Sequence, residues 1–226
     1  MRTTSLIDVD NTLLDNDRAK DALASGLVAL LGESGAAAFW VAYEEVRAEL
    51  GVVDIPRTIG RTLPRGAGMD QRVALAELFM RFPFADYIYA DVFETLTHLR
   101  TLGPVVILSD GDPVFQPTKI VRSGLAQAVE GHILIFPHKE EHLIEIAAAF
   151  PADRFVLIDD KPGVIERMTA RAHELGSPLE TVLVRQGKYA SGVPAGPWSG
   201  ATHTVDRVGD VSQVIHGGPW KRVVAN

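Results

Sequence analysis

Short apolar runs, most of them closing on a polar residue, recur at residues 5–9, 105–109, 132–136, 155–159 and 181–185, with a weaker one at 202–206. Most are rich in β-branched residues and lack an alternating polar face, the pattern of strands buried on both sides. Between the later runs lie segments of helical periodicity, at 115–125, 138–150 and 161–175. Strands alternating with helices predict a parallel sheet with crossover helices, an α/β fold.

The interval between the first two runs breaks this rhythm. It is far longer than one crossover requires. Helical patterns fill it at 17–31, 35–50, 69–82 and 91–102, with a Gly, Pro and Arg break near 56–68. The last helix is assigned to the core, where it feeds the second strand. The others predict an inserted helical subdomain at 16–90, leaving 1–15 and 91–226 as the core domain. The Gly/Pro-rich segment 186–200 reads as a surface loop, and 206–216 closes the domain with a short helix.

A chain of 226 residues can bury a core of this size as one domain with a modest insertion. The net charge is −7 and no long basic run occurs, which argues against nucleic acid and acidic membrane surfaces as partners. A small anionic substrate would need a local positive device. There are no cysteines, which excludes disulfides, thiolate metal sites and cysteine nucleophiles. Any metal would sit on oxygen or imidazole ligands, and oxygen ligands suit Mg²⁺. The N-terminus does not read as a signal peptide, and the most apolar stretches, such as 36–43, are too short to span a bilayer, so a cytoplasmic location is expected.

The candidate chemistry gathers at strand ends. The first run ends in Asp8-Val9-Asp10-Asn11-Thr12. Residues two apart on a strand point the same way, so Asp8 and Asp10 are expected to converge, and two such carboxylates need a cation or a shared proton. Taken alone, a turn with Asx hydrogen bonds accounts for the motif equally well. Three further features decide between these readings: Ser109 at the end of the second strand, Lys139 at the start of a helix after the third, and Asp159-Asp160 after the fourth. In parallel sheets ligands bind beyond the carboxyl ends of the strands, and all these residues fall at that edge.

With these residues in order, nearly the whole chain resembles the haloacid dehalogenase superfamily of Mg²⁺-dependent phosphohydrolases. Asp8 to Thr12 is similar to its first motif, D-x-D-x-T/V; Ser109, Lys139 and Asp159-Asp160 are similar to its second, third and fourth. The helices inserted after the first motif resemble the family's C1-type cap over a Rossmann-like core. The resemblance implies a phosphatase in which Asp8 is the nucleophile and forms an aspartyl phosphate, while Asp10 protonates the leaving oxygen and then activates water. It implies Mg²⁺ held by the Asp8 carboxylate, the Asp10 backbone carbonyl, Asp160, and Asp159 directly or through water. Ser109, Lys139, Asp110 through its backbone N–H, and Thr12 are the implied substrate-binding residues. The dehalogenase branch lacks the second aspartate, so Asp10 favours phosphoester chemistry. A phosphomutase or phosphotransferase, and a non-catalytic binding or regulatory module of the same fold, are the alternatives. The implied partner is a small phosphorylated metabolite, and the implied assembly is a monomer or homodimer.

Several residues invite competing roles. The family's usual fourth motif, G-D-x-x-x-D, has Val164 where its later acid would stand, so the chain uses adjacent acids instead. Asp159 and Asp160 also suit a helix N-cap ahead of Pro162. Lys119 and Lys161 compete with Lys139 for the third-motif role. His138 and His142 have helical i,i+4 spacing but no third ligand, and read as solvated residues. Phe39, Trp40 and Tyr43 are expected in the core of the insert, and Arg57, Arg61 and Arg65 as scattered surface charge.

Overall fold

The computed structural model describes residues 2–217; residue 1 and residues 218–226 of the expected core range lie outside them. The apolar runs form the strands β1 Thr3–Ile7, β2 Val105–Asp110, β3 Ile133–Phe136, β4 Arg154–Asp159, β5 Leu179–Val184 and β6 His203–Val205. They make one six-stranded sheet in the order β3-β2-β1-β4-β5-β6, with every pairing parallel.

Between β1 and β2 the chain forms α1 Asn16–Leu50, α2 Ile55–Thr62, α3 Met69–Met80 and α4 Val92–Arg100. Helices α5 Phe115–Arg122 and α6 Leu125–Ala128 follow β2, α7 Leu143–Ala149 follows β3, and α8 Pro162–Glu174 follows β4. Short helices α9 Gly187–Ala190 and α10 Val211–Val214 follow β5 and β6.

Successive strand residues face opposite sides. Ile7, Val105, Ile107, Val156 and Ile158 pack in a core with Leu96 and Leu99 of α4, Ile120 of α5 and Val211 of α10. Leu6, Val106, Leu108, Phe155 and Leu157 pack instead against Leu143 and Ile146 of α7 and Ile165 and Met168 of α8. Both faces of the sheet are therefore covered, which explains why the strands read as continuous apolar runs.

The strand order steps outward from β1 in one direction and from β4 in the other, so the switch point lies between their carboxyl ends. Ile7 pairs with Ile158 and with Ile107 across the neighbouring strands. That register delivers Asp8, Asp159 and Ser109 to the same crevice.

The helices between β1 and β2 meet one expectation and depart from two. Gly32, with φ 69° and ψ 171°, divides α1 at a kink into two helical segments, as expected at 17–31 and 35–50. By length and composition α1 is apolar enough to cross a membrane, contrary to the expectation from shorter windows. Here its Leu27 and Phe39 are buried in the same core as Leu75 and Phe79 of α3. The stretch expected as a break contains α2. Pro56 lies in its first turn, where a missing N–H costs nothing, and Asp54 caps the helix by accepting from the Arg57 N–H at 2.7 Å.

A third departure concerns 138–150. A 3₁₀ turn, Lys139–His142, precedes α7, so Lys139 sits in a tight turn at the sheet edge. The chain leaves the core and returns to it side by side. The Asp15 N–H donates to the Tyr87 carbonyl at 2.8 Å, and the Tyr89 N–H donates to the Leu13 carbonyl at 3.1 Å.

Candidate active site

Strand β1 ends at Ile7, two residues earlier than the periodicity suggests, so Asp8 and Asp10 do not share a strand face. The loop turns sharply at Asn11, whose φ is 62°. Its side-chain oxygen accepts from the backbone N–H groups of Asn16 and Asp17, fastening the loop to the start of α1. The two aspartates consequently face different cations.

Asp8 is buried against Lys139, whose ammonium lies 2.7 Å from Asp8 Oδ1 and 2.7 Å from Asp159 Oδ2. The same ammonium donates to the Leu108 carbonyl at 3.3 Å and lies 3.7 Å from Asp110. Burial alone would raise the Asp8 pKa, but Lys139 and Lys161 outweigh it and hold the carboxyl below its ordinary value. Burial likewise opposes the charge on Lys139, and Asp159, Asp8 and Asp110 overcome it, keeping the lysine firmly protonated.

Asp8, Asp159 and Asp160 each offer an oxygen within 4.8 Å of the others, and all three are buried. Both carboxylate oxygens of Asp160, and Asp8 Oδ2, are buried without a hydrogen-bond partner among the described residues. Burial, reinforced by Asp159 and Asp8, pushes the Asp160 carboxyl up to about 9. Orphaned hard oxygens of this kind fit a small divalent cation such as Mg²⁺. Asp159 is oriented by the Lys161 N–H, which donates to its Oδ1 at 2.9 Å. The N-cap position of α8 is Lys161 itself, so the adjacent acids do not cap the helix with a side chain.

Asp10 points the other way. Its carboxylate pairs with Lys119 of α5 at 2.6 Å, and Gln116 of the same helix donates to it at 3.5 Å. Gln116 also donates to Ser109 Oγ at 2.7 Å, so one amide links the second-motif hydroxyl to the acid/base candidate. Sequence spacing alone did not identify this work for Gln116 and Lys119. Their one legible signal is the turn between them, which puts both on one face of α5.

Thr12 is fully buried, and its hydroxyl has no partner among the described residues. It does not line the cavity described below. Asp110 accepts from the Lys139 N–H at 3.2 Å, and Asp112 caps α5 by accepting from the N–H groups of Val114 and Phe115. His142 is held by Glu145 and stacks on Phe136, consistent with no metal role. Arg61 grips Glu49 through two contacts of 2.7 and 2.6 Å, tying α2 to α1 on the exposed surface.

A cavity of about 270 Å³ opens between the α1–α3 helices and this sheet edge. Asp10, Asp110, Lys119 and Lys161 line its core side. Asp8, Asp159, Asp160 and Lys139 are buried and do not line it. Its opposite side includes Lys20, Trp40, Tyr43 and Arg47 of α1. Phe39 lies in the core as expected, stacked on Phe79, whereas Trp40 and Tyr43 also face the cavity.

The chain matches no protein-family model and no curated protein sequence. Among solved structures, it is 37% identical to a protein of Burkholderia xenovorans described as a haloacid dehalogenase-like hydrolase, with a TM-score of 0.83 over 94% of this chain and 95% of that one. It shares its fold, at 15% identity and a TM-score of 0.60, with the HAD-hydrolase YfnB of Bacillus subtilis bound to magnesium, over 94% of this chain and 98% of that one. The L-2-haloacid dehalogenase of Xanthobacter autotrophicus is a fold neighbour at 16% identity and a TM-score of 0.61, over 95% of this chain and 98% of that one.

Proposed function

The chain belongs to the haloacid dehalogenase-like hydrolases, and within that family we propose that it is a Mg²⁺-dependent phosphatase of small phosphorylated metabolites, working through an aspartyl phosphate on Asp8. We further propose that it acts in the cytoplasm, as a monomer or homodimer, with residues 16–90 as a cap over the core.

The observation that carries this reading is the division of labour between the two aspartates. Lys139 holds Asp8 Oδ1 and keeps the group ionised, which leaves Oδ2 free to attack phosphorus. Asp10 stands apart from that pair, in the cavity wall, where a leaving oxygen would emerge. A bond forms from Asp8 Oδ2 to phosphorus while the ester bond breaks, and Asp10, entering the step as the carboxylic acid with a proton taken up from solvent, passes that proton to the departing oxygen. Asp10, now a carboxylate, then takes a proton from water, whose oxygen bonds to phosphorus and breaks the Asp8–phosphorus bond, which releases phosphate and returns Asp8 to its carboxylate. Lys139 offsets charge at Asp8, and Ser109, oriented by Gln116, supplies a hydroxyl to the transferred group.

A divalent cation on Asp8, Asp160 and Asp159 would neutralise the repulsion between the attacking carboxylate and the phosphate. YfnB is described as bound to magnesium, which supports the same ion here.

Dehalogenation is the second reading, because fold neighbours carry that name. A halide leaves as a stable anion and needs no proton donor, so Asp10 favours the phosphatase. The test is phosphate release from an aryl phosphate with Mg²⁺, set beside chloride release from 2-chloropropionate. Phosphate release that disappears in Asp8→Asn is the expected result. Chloride release without phosphate release would overturn the proposal.

A further inference from the structure

The cavity wall opposite Asp10 contains a positive charge that the proposed chemistry does not use. Lys20, in the first turns of α1, lines the cavity; Asp10 and Glu44 favour its charge, but neither forms a salt bridge with it among the described residues. Its ammonium lies over the Tyr43 ring at 4.5 Å and at 6.0 Å from the centre of Trp40. Arg47, nearly at the other end of α1, reaches the same cavity. One of its nitrogens donates to the Tyr189 hydroxyl at 3.1 Å, while another lies 3.4 Å from the exposed Glu44. Lys161 lines the cavity from the core side, so cations approach this space from both walls.

A half-buried lysine with aromatic faces beside it and no salt bridge is costly to keep, and the attraction of Asp10 and Glu44 offsets that cost only in part. Burial, with Lys188 nearby, lowers the Lys20 pKa to about 8. An anion arriving beside it would recover that cost. The lining of the same cavity includes the apolar side chains Leu23, Phe79, Phe84 and Phe115. The volume lies at the small end of ligand pockets.

We propose that Lys20 and Arg47 form a second anion subsite, so that the substrate is a small phosphoric monoester whose alcohol portion carries a further anionic group, a carboxylate or a second phosphate, at the far end of a short apolar body. This rests on the phosphatase reading for the identity of the first group only. The phosphoryl end faces Asp10 and the acid cluster behind it; the second anion faces α1. Lys20 and Arg47 are specificity residues, remote from the bonds that change.

The experiment compares propyl phosphate, 3-phosphooxypropanoate and propane-1,3-diol bisphosphate, with Mg²⁺, in the wild type and in Lys20→Met, Lys20→Arg and Arg47→Met. The wild type should prefer at least one dianionic-headed substrate over propyl phosphate by about tenfold or more in kcat/KM, the scale of one charge-assisted contact. That preference should collapse in Lys20→Met, weaken in Arg47→Met and persist in Lys20→Arg. Which of the two anionic esters is preferred separates carboxylate from phosphate. Absence of a preference in the wild type, or its survival in Lys20→Met, overturns the subsite. If none of the esters is turned over, the phosphatase reading fails on its own. Titration calorimetry with the same compounds then decides the subsite, which requires weaker binding of the carboxylated ester to Lys20→Met and is overturned by equal binding.

Discussion

At the scale of single residues, the acid cluster should govern how stability depends on pH. Asp160 has a folded pKa of about 9 against an ordinary value of 3.8, so between those values the unfolded chain sheds a proton that the folded one retains. Stability is then greatest at low pH and falls as pH rises through that window. Asp159 shifts in the same direction, chiefly by burial, while Asp8 shifts downward, so its stabilising contribution is present above 3.8 and is lost as pH falls below that value. The metal-free protein should therefore lose melting temperature between about pH 5 and pH 8, more steeply than Asp160→Asn does. Mg²⁺ should restore it. Equal slopes for the two proteins would refute the assignment. Lys139→Met strands Asp8 and Asp159 without their common cation, and should lower unfolding free energy by about 3–5 kcal/mol in denaturant titrations without metal. Asp10→Asn should keep the fold and lose roughly 10²–10⁴-fold in kcat. The sequence made Asp8, Ser109, Lys139 and the acid pair legible because each follows a buried strand, and the register of a parallel sheet carries such positions to one edge. Lys119, Gln116 and Lys20 lie on helices, where a side chain's partner is set by tertiary packing and leaves no local trace.

At the scale of elements, two glycines make opposite predictions. Gly51 ends α1 in the left-handed region at φ 74°, and an added Cβ would lie 2.9 Å from the His138 ring. Gly51→Ala should cost at least about 1 kcal/mol. Gly60 sits inside α2 with open space around its missing side chain, so Gly60→Ala should stabilise by about 0.5–1 kcal/mol. Thermal unfolding of both variants checks the signs. The strands were readable because burial on both faces leaves unbroken apolar runs. Helix α2 was not, because a proline inside an irregular composition looks like a stop until its place in the first turn is known. The division of α1 was readable, because Gly32 takes a backbone conformation that a helix does not hold.

At the scale of the whole molecule, access is the open mechanical demand. Asp8 is 1% exposed, so a phosphate reaches it only when neighbouring groups move, and the expected movement is that of the helices of 16–90 relative to the sheet. The paired crossings at Leu13–Asp15 and Tyr87–Tyr89 are the natural hinge, since both connections run through one short ladder. Beryllium fluoride with Mg²⁺, which mimics a phosphoryl group on aspartate, should slow hydrogen exchange of amides at 51–55, where the helical insert meets His138. Unchanged exchange with the fluoride bound would argue against a moving insert. An insertion after the first strand was evident from the interval length, whereas the depth of Asp8 depends on packing between distant segments and could not be read from spacing.

Transfer of the phosphoryl group to Asp8 can be read by mass spectrometry of the Asp10→Asn protein quenched in acid after mixing with Mg²⁺ and an aryl phosphate. One added phosphoryl group is expected on the peptide containing Asp8, absent from the same peptide when Asp8 is also changed to Asn. Phosphate release by the wild type with no phosphoryl group on Asp8, or undiminished release by Asp8→Asn, would contradict that transfer.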